Sequence, residues 1–288
     1  MLKKRQLTEK VSDIHSLLFR RSSRSVVNSV TPVKKFNSLD GFFVIAHRGA
    51  SFDAPENSMP AFKRAHDLKA DMIELDVLLT RDSIPVVLHD DTLNRTTSGS
   101  GPISEMLFRE IQELDAGRWF SEKFRDTRIP SLQTVLRWAK DRISLNIEIK
   151  GVNKGRGNRT GIVGAVLDLV HQYEMKEHVV ISSFSCDALQ RVKKISPNTA
   201  TAYLNSEYSY GTQRDYGKML SCRADGLNLK ARQMNNDLME KLIENDIPVW
   251  VYTVNQEIIM RDVIERGATG IFTDRPDLLR RVVLDEKI

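Results

Sequence analysis

Residues 74–91 read ELDVLLTRDSIPVVLHDD, and the spacing inside this stretch decides the fold. Glu74 and Asp76 stand two residues apart, so on a strand, where side chains alternate between faces, they point the same way. The apolar run pauses at TRDS, resumes at Ile84 and ends in His89, Asp90 and Asp91. Parallel neighbours need a crossover of about a dozen residues or more. Only eight residues separate Val77 from Val86, and the polar TRDS among them reads as a turn. The second run therefore returns antiparallel, as a hairpin that prolongs the first beyond its neighbours and folds His89 back toward Asp76.

From residue 41 the chain alternates short β-type runs with amphipathic helical stretches, the pattern of βα units around a parallel sheet. Strands are expected at 42–47, 72–77, 144–150, 179–184, 200–204, 224–229, 248–254 and 270–274. Helical patterns lie between them at 55–69, 131–141, 160–173, 186–195, 236–245 and 257–267. Several begin with Ser, Thr or Asn and one ends at Gly267, as helix caps predict. Eight strands with helices between them point to a closed (β/α)8 TIM barrel, a fold that uses roughly 250 residues as one domain. Residues 90–130 are too long for a βα connection, which commonly takes about two to six. They hold a Gly/Ser turn cluster and one expected helix, SEMLFREIQEL (104–114), and are expected to form a small insertion lobe beside the barrel mouth.

Hydrophobic residues at 41% and charged residues at 28% are ordinary for a globular protein. No apolar run approaches the roughly 18 residues of a membrane span. The charge is uneven. Residues 1–40 hold nine Lys or Arg against three acidic residues, a net +6, while the whole chain carries +5. The other 248 residues therefore sum to about −1, and the sequence pI of about 9.1 belongs to the tail. Residues 1–40 read as a basic N-terminal extension of a barrel domain at 41–288. The stretch LLFRRSSRSVVNSV would suit a targeting peptide, although Glu9 and Asp13 count against one. The tail could also make weak contact with an anionic membrane surface. No nucleic-acid partner is expected, and the sequence sets no oligomeric state. Cys186 and Cys222 do not make a disulfide scaffold and suggest a reducing compartment, hence a cytoplasmic location.

Barrel active sites sit at the C-terminal ends of strands. The first strand ends in His47-Arg48-Gly49, the second carries Glu74 and Asp76, and the third ends in Glu148 and Lys150. The seventh ends near Tyr252 and Asn255, and the eighth at Asp274. Three carboxylates meeting at one mouth repel unless neutralised. An all-oxygen set suits one hard divalent cation, Mg2+ or Ca2+, rather than zinc. The alternative is a buried ion-pair network with Arg48 and Lys150. His47 and His89 fall on the same face and suit acid–base work, because imidazole titrates near neutral pH. Arg48 and Lys150 supply positive charge for an anionic group such as phosphate. Together these describe phosphoester cleavage better than aldol or enolisation chemistry.

AHRGASFDAPENSMPAF, MIELDV, PVVLHDDTLNRTT, LNIEIK, YTVN and GIFTDRPD, in that order, resemble the glycerophosphodiester phosphodiesterase family from about residue 42 to 280. The resemblance implies a barrel with an insertion lobe that hydrolyses small-molecule glycerophosphodiesters to glycerol 3-phosphate and an alcohol, with a divalent cation. It further implies His47 and His89 as the acid–base pair, Glu74, Asp76 and Glu148 as metal ligands, and Arg48 and Lys150 at the phosphate. Tyr252 stands where the family usually shows Trp, which affects a contact with the substrate; Trp250 would share its face. Thr269 stands where the family usually shows Asp, at a position read as structural. Trp119 and Phe120 read as lobe packing. A lysophospholipase D acting on lysophospholipids at a membrane surface is the alternative. A phosphate-binding module without activity would lack a motif histidine or carboxylate, and all are present.

Overall fold

In the computed structural model, which describes residues 41–150, 161–206, 209 and 211–285, the opening stretch is the hinge of the architecture. Strand β2 (Met72–Leu79) pairs in parallel with β4 (Ser144–Ile149) along one edge, from Met72↔Ser144 to Val77↔Ile149. Its other edge is shared. β1 (Phe43–Ala46) takes Met72 and Ile73, while β3 (Pro85–Val87) returns antiparallel against Val77, Leu78 and Leu79. β5 (Val179–Ser183), β6 (Ala200–Leu204), β7 (Gly226–Leu229), β8 (Val249–Val251) and β9 (Gly270–Thr273) continue the parallel pairing, and β9 closes on β1. Eight parallel strands thus form a closed (β/α)8 TIM barrel, with β3 above β1 on the spare edge of β2.

Strand alternation gives the hairpin two apolar faces. Val77, Leu79 and Val87 pack with the helix layer around Leu132, Val135 and Leu136. Leu78, Val86 and Leu88 pack instead with Leu93, Ile103, Ile111, Ala116 and Ile129, so residues 90–130 rest on the hairpin face that continues the inward side of β2 beyond the barrel. Within that segment the continuous helix expected at 104–114 does not form. A 3-10 turn at Ile103–Glu105 gives way to extended Met106 and Leu107, and a one-turn helix starts at Phe108. Asp82, in the hairpin turn, accepts the Phe108 N–H, and Glu110 accepts the Leu107 N–H. A tertiary contact restarts the helix where local periodicity would have run through. Trp119, Phe120 and Phe124 stack edge to face here.

The helices between strands are α1 (Met59–Asp67), α2 (Leu132–Ala139), α3 (Gly161–Gln172), α4 (Cys186–Ile195), α5 (Gln213–Ser221), α6 (Asn236–Glu244), α7 (Glu257–Glu265) and α8 (Pro276–Asp285). Ser58, Ser131, Ser185 and Asn235 cap α1, α2, α4 and α6 by accepting first-turn N–H groups. α5 lies where no helix was expected: it runs through Gly217 and buries only Asp215 and Met219, although Thr212 and Asp215 form a capping box at its start. Barrel strand seven, expected over 248–254, keeps only Val249–Val251 as β8. Its neighbour β7 ends at Leu229, the partner of Val251.

Inward-facing positions change character along the barrel axis. Phe43, Ile45, Met72, Val180, Ala200, Ala202, Trp250 and Phe272 form an apolar floor. Gly270 makes room for it, since a Cβ there would lie 2.7 Å from the Trp250 ring and 3.0 Å from Phe43 Cβ. Two residues further along the strands the same face turns polar: Glu74 follows Met72, Ser182 follows Val180, and Ser182 Oγ bonds buried Asn146 Oδ1. The mouth is therefore polar and the base dry. Thr269 bonds the Val249 N–H and carbonyl, a structural role.

Cys186 and Cys222 are joined in a disulfide. The cysteine count alone suggests a reducing compartment, in which such a pairing is uncommon. Among the described residues no helix is long and apolar enough to cross a membrane. The basic extension at 1–40 lies outside the described residues.

Candidate active site

The β1 exit is a turn that only certain residues permit. Arg48 and Gly49 both have positive φ, 57° and 87°, a region costly for a residue with a side chain. A Cβ on Gly49 would sit 2.7 Å from Ala61, so glycine is required. The turn aims the Arg48 N–H at Glu74 Oε2, 2.8 Å away. It also places the Arg48 guanidinium 2.7 Å from Glu56 Oε1 and 3.5 Å from Asp76 Oδ2.

Each histidine has a carboxylate behind it. His47 Nδ1 lies 2.7 Å from Asp274 Oδ1, and Asp274 also accepts from Ser51 Oγ and Asn255 Nδ2. Although burial opposes it, the bonds from His47, Asn255 and Ser51 hold Asp274 below the usual carboxylate range. His89 Nδ1 lies 2.6 Å from Asp90 Oδ1. Arg95 grips Asp90 from the far side, and its hydrogen bond, followed by that of His89, drives Asp90 well below the usual range. An ionised carboxylate only accepts, so in both pairs Nδ1 carries the proton and Nε2 is left to exchange one. Burial pulls His89 below the ordinary imidazole range, against the raising influence of Asp76. Arg95 also bonds both oxygens of Glu56, at 2.8 Å each. One chain of ion pairs therefore links Arg48, Glu56, Arg95, Asp90 and His89.

Glu74, Asp76 and Glu148 are all buried, and each offers an oxygen within 4.8 Å of the others. Lys150 Nζ lies 2.9 Å from both Asp76 and Glu148, so the ion-pair network and the carboxylate cluster coexist. Burial, then Asp76 and Glu148, push Glu74 well above its usual range. Burial and Asp76 push Glu148 up to about 7. Asp76 stays low despite burial, held by Lys150, Arg48 and His89 and bonded by Asn57 Nδ2 at 2.8 Å. The three groups titrate together, and without added positive charge they do not all ionise. The donor set fits a hard divalent cation: three carboxylates, no sulfur, and charge in need of neutralisation.

His47, Arg48, His89, Glu148 and Lys150 line one cavity of about 690 Å³, whose wall continues through Phe184, Lys230, Tyr252 and Ile259. Glu74 and Asp76 join Glu148 beneath it. Tyr252 donates from its hydroxyl to the Asn205 carbonyl at 2.5 Å and stands edge-on to Phe184. Trp250 lies below it in the floor. The structure thus brings all eight residues singled out in the sequence to one mouth. Asp274 and Asn255, noted in the sequence as strand ends without a role, join them, and Asp90, Glu56, Arg95 and Asn57 complete the site without having been singled out for it. Signals for the last four existed in part: Asp90 follows His89, and Glu56-Asn57 opens the α1 segment.

Residues 47–278 match the glycerophosphoryl diester phosphodiesterase family. A glycerophosphodiester phosphodiesterase of Caldanaerobacter subterraneus is 39% identical over 241 residues, covering 83% of this chain and 97% of that one. A glycerophosphodiester phosphodiesterase structure from Agrobacterium tumefaciens is 29% identical with a TM-score of 0.73, covering 83% of this chain and 99% of that one. An Oleispira antarctica phosphodiesterase, solved in complex with the product sn-glycerol-3-phosphate, is 27% identical with a TM-score of 0.74 and covers 83% and 95%. Since the match takes in every strand end that carries the site, the chain belongs to the glycerophosphoryl diester phosphodiesterase family and is an enzyme of it.

Proposed function

We propose that the protein hydrolyses glycerophosphodiesters to glycerol 3-phosphate and an alcohol by a two-histidine acid–base mechanism. The observation that carries this is the pair of carboxylate-backed imidazoles, His47 and His89, lining one cavity with Arg48, Lys150 and Glu148. Arg48 and Lys150 hold the phosphodiester and balance its charge. His89, kept neutral by burial, is poised to take a proton from the attacking oxygen, and His47, entering the step as the imidazolium, supplies the proton of its Nε2 to the leaving oxygen. Asp90 and Asp274 fix the two rings, Asp90 stabilising the imidazolium that His89 becomes and Asp274 the one from which His47 starts. Glu74, Asp76 and Glu148 would hold one Mg2+ or Ca2+. Such a cation, when bound, supplies positive charge that offsets the developing negative charge on phosphate oxygens.

A second reading, lysophospholipase D activity, is favoured by exposed Phe184 and Ile259 on the cavity wall, 43% and 36% exposed. Apolar side chains at an open mouth suit an acyl chain and contact with a lipid surface. The disulfide argues against the cytoplasmic address suggested by the cysteine count. Glycerol 3-phosphate release is measured from a panel of glycerophosphodiesters, with a lysophosphatidylcholine arm read as lysophosphatidate. Chelated protein is compared with protein given Mg2+ or Ca2+. Full activity after chelation, unchanged by either ion, would refute the cation's role; no release from any diester would refute the activity.

A further inference from the structure

A carboxylate that does not line the cavity stands between the residue that holds the phosphate and the residue that takes the proton. Glu56 Oε1 accepts from Arg48 Nη1 at 2.7 Å and from Arg95 Nη2 at 2.8 Å, and its Oε2 accepts from Arg95 Nη1 at 2.8 Å. Arg95 in turn bonds both oxygens of Asp90, at 2.7 and 3.1 Å, and Asp90 Oδ1 lies 2.6 Å from His89 Nδ1. A guanidinium is planar and its donors are fixed, so four bonds to two carboxylates hold Glu56 and Asp90 in one arrangement. Neither Glu56 nor Arg95 lines the cavity, so each acts through its partners. The backbone that carries Glu56 is itself tied down. Asn57 is buried at φ 55°, donates its N–H to the Arg48 carbonyl at 2.9 Å and bonds Asp76 through Nδ2 at 2.8 Å, and Ser58 caps α1. Two effects of Glu56 on Arg48 oppose each other. As a nearby anion it weakens the pull of Arg48 on phosphate; as an anchor it keeps the guanidinium from turning to Asp76 Oδ2, 3.5 Å from Arg48 Nε. Arg95 already neutralises much of the Glu56 charge, whereas bidentate phosphate contact needs the guanidinium plane held in place. The anchoring outweighs the field.

We propose that Glu56 is a positioning residue that couples the two halves of the reaction: it orients Arg48 for the phosphate and, through Arg95 and Asp90, His89 for the proton. This rests on the phosphodiesterase reading above.

The full chain is assayed on glycerophosphocholine with Mg2+ or Ca2+ present. Glu56→Ala should raise KM and lower kcat, each by about tenfold or more, the usual scale for losing a group that orients a reactive one. Glu56→Gln keeps the shape but loses one acceptor. It should fall between Glu56→Ala and wild type, and it keeps the test open should Glu56→Ala fold poorly. The crossed variants separate positioning from a general loss of structure. Added to Arg95→Met, Glu56→Ala should lower kcat no further yet still raise KM, because one path is already cut and the other is intact. kcat losses that multiply overturn the coupling, as do a KM that falls or wild-type constants in Glu56→Ala. Since KM need not equal a dissociation constant, binding of glycerol 3-phosphate is also measured by calorimetry. Glu56→Ala should weaken it and Arg95→Met should leave it unchanged; unchanged binding in Glu56→Ala overturns the link to Arg48. The His89 Nδ1 proton, in a 2.6 Å bond, should give a downfield NMR signal that both Glu56→Ala and Arg95→Met broaden. A signal that stays sharp in Glu56→Ala overturns the link to His89. No release of glycerol 3-phosphate by the wild type overturns the phosphodiesterase reading, and the calorimetric and NMR measurements, which need no turnover, still decide the positioning.

Discussion

Asp90 and Asp274 do the same work for two histidines, yet they are held differently, and the difference is testable residue by residue. Asp274 is bonded by Ser51 and Asn255, both neutral, whereas Asp90 is bonded by Arg95, which also holds Glu56 and through it Arg48. Arg95→Met should lower kcat by roughly ten- to a hundredfold, the usual effect of losing a group that orients a reactive one. It should also shift the pH profile, and Arg95→Lys should restore only part, because Lys cannot span both carboxylates with a planar fork. His47→Ala and His89→Ala should each lower kcat by about 10² to 10⁴-fold, with the double variant little worse than either single. A diester with an activated leaving group should partly rescue His47→Ala alone; rescue of His89→Ala instead would reverse the two roles. Glu148 carries a pH prediction. Folding raises it to about 7, so its contribution to stability is present below the unfolded carboxylate range and is lost as pH rises through about 7. Divalent cation binds the ionised form and reverses that loss. The rise in Tm on adding Mg2+ or Ca2+ should therefore be larger near pH 8 than near pH 5, and Glu148→Gln should remove most of it. A cation-induced shift independent of pH would count against the cluster as the binding site.

At the scale of elements, the β2–β3 hairpin answers why so short a stretch carries both carboxylates and a histidine. Its inward positions hold Glu74 and Asp76; beyond them the same face buries Leu78 against the lobe, and the opposite face buries Val77 and Leu79 against the helix layer. The returning strand then delivers His89 without taking a place in the barrel. The disulfide between Cys186, at the start of α4, and Cys222, just after α5, joins positions 36 residues apart. A loop of that size implies about 3–4 kcal/mol of stabilisation by the chain-entropy argument. Calorimetry should show wild-type Tm falling in reductant to that of Cys186→Ser. An identical Tm with and without reductant would show that the thiols are not joined.

For the whole molecule, the barrel carries a dry floor and a charged mouth along one axis, so stability and chemistry are physically separated. Truncating Trp250, buried in the floor, to alanine should cost about 3–5 kcal/mol while leaving the cation-induced Tm shift in place. Loss of that shift would show that floor and mouth are coupled. The family match begins at residue 47, and the excess positive charge precedes it. Removing residues 1 to about 38 should therefore leave kcat on glycerophosphocholine nearly unchanged, and a large loss would place the tail within the catalytic domain.

The sequence by itself determined the barrel, the hairpin and the eight residues that meet at the mouth. Strand periodicity and loop length are local properties: two-residue spacing sets the face of Glu74 and Asp76, and eight intervening residues forbid a parallel return. It did not determine which groups orient those residues. Asp274 lies 227 positions from His47, and Arg95 lies 39 from Glu56, so closure of the barrel and docking of the lobe decide those contacts. The broken helix at 104–114 was hidden for the same reason, because its break depends on Asp82 arriving from the hairpin turn. The cysteine pairing was too: composition counts thiols, but only the packing of α4 beside α5 brings two of them within bonding distance.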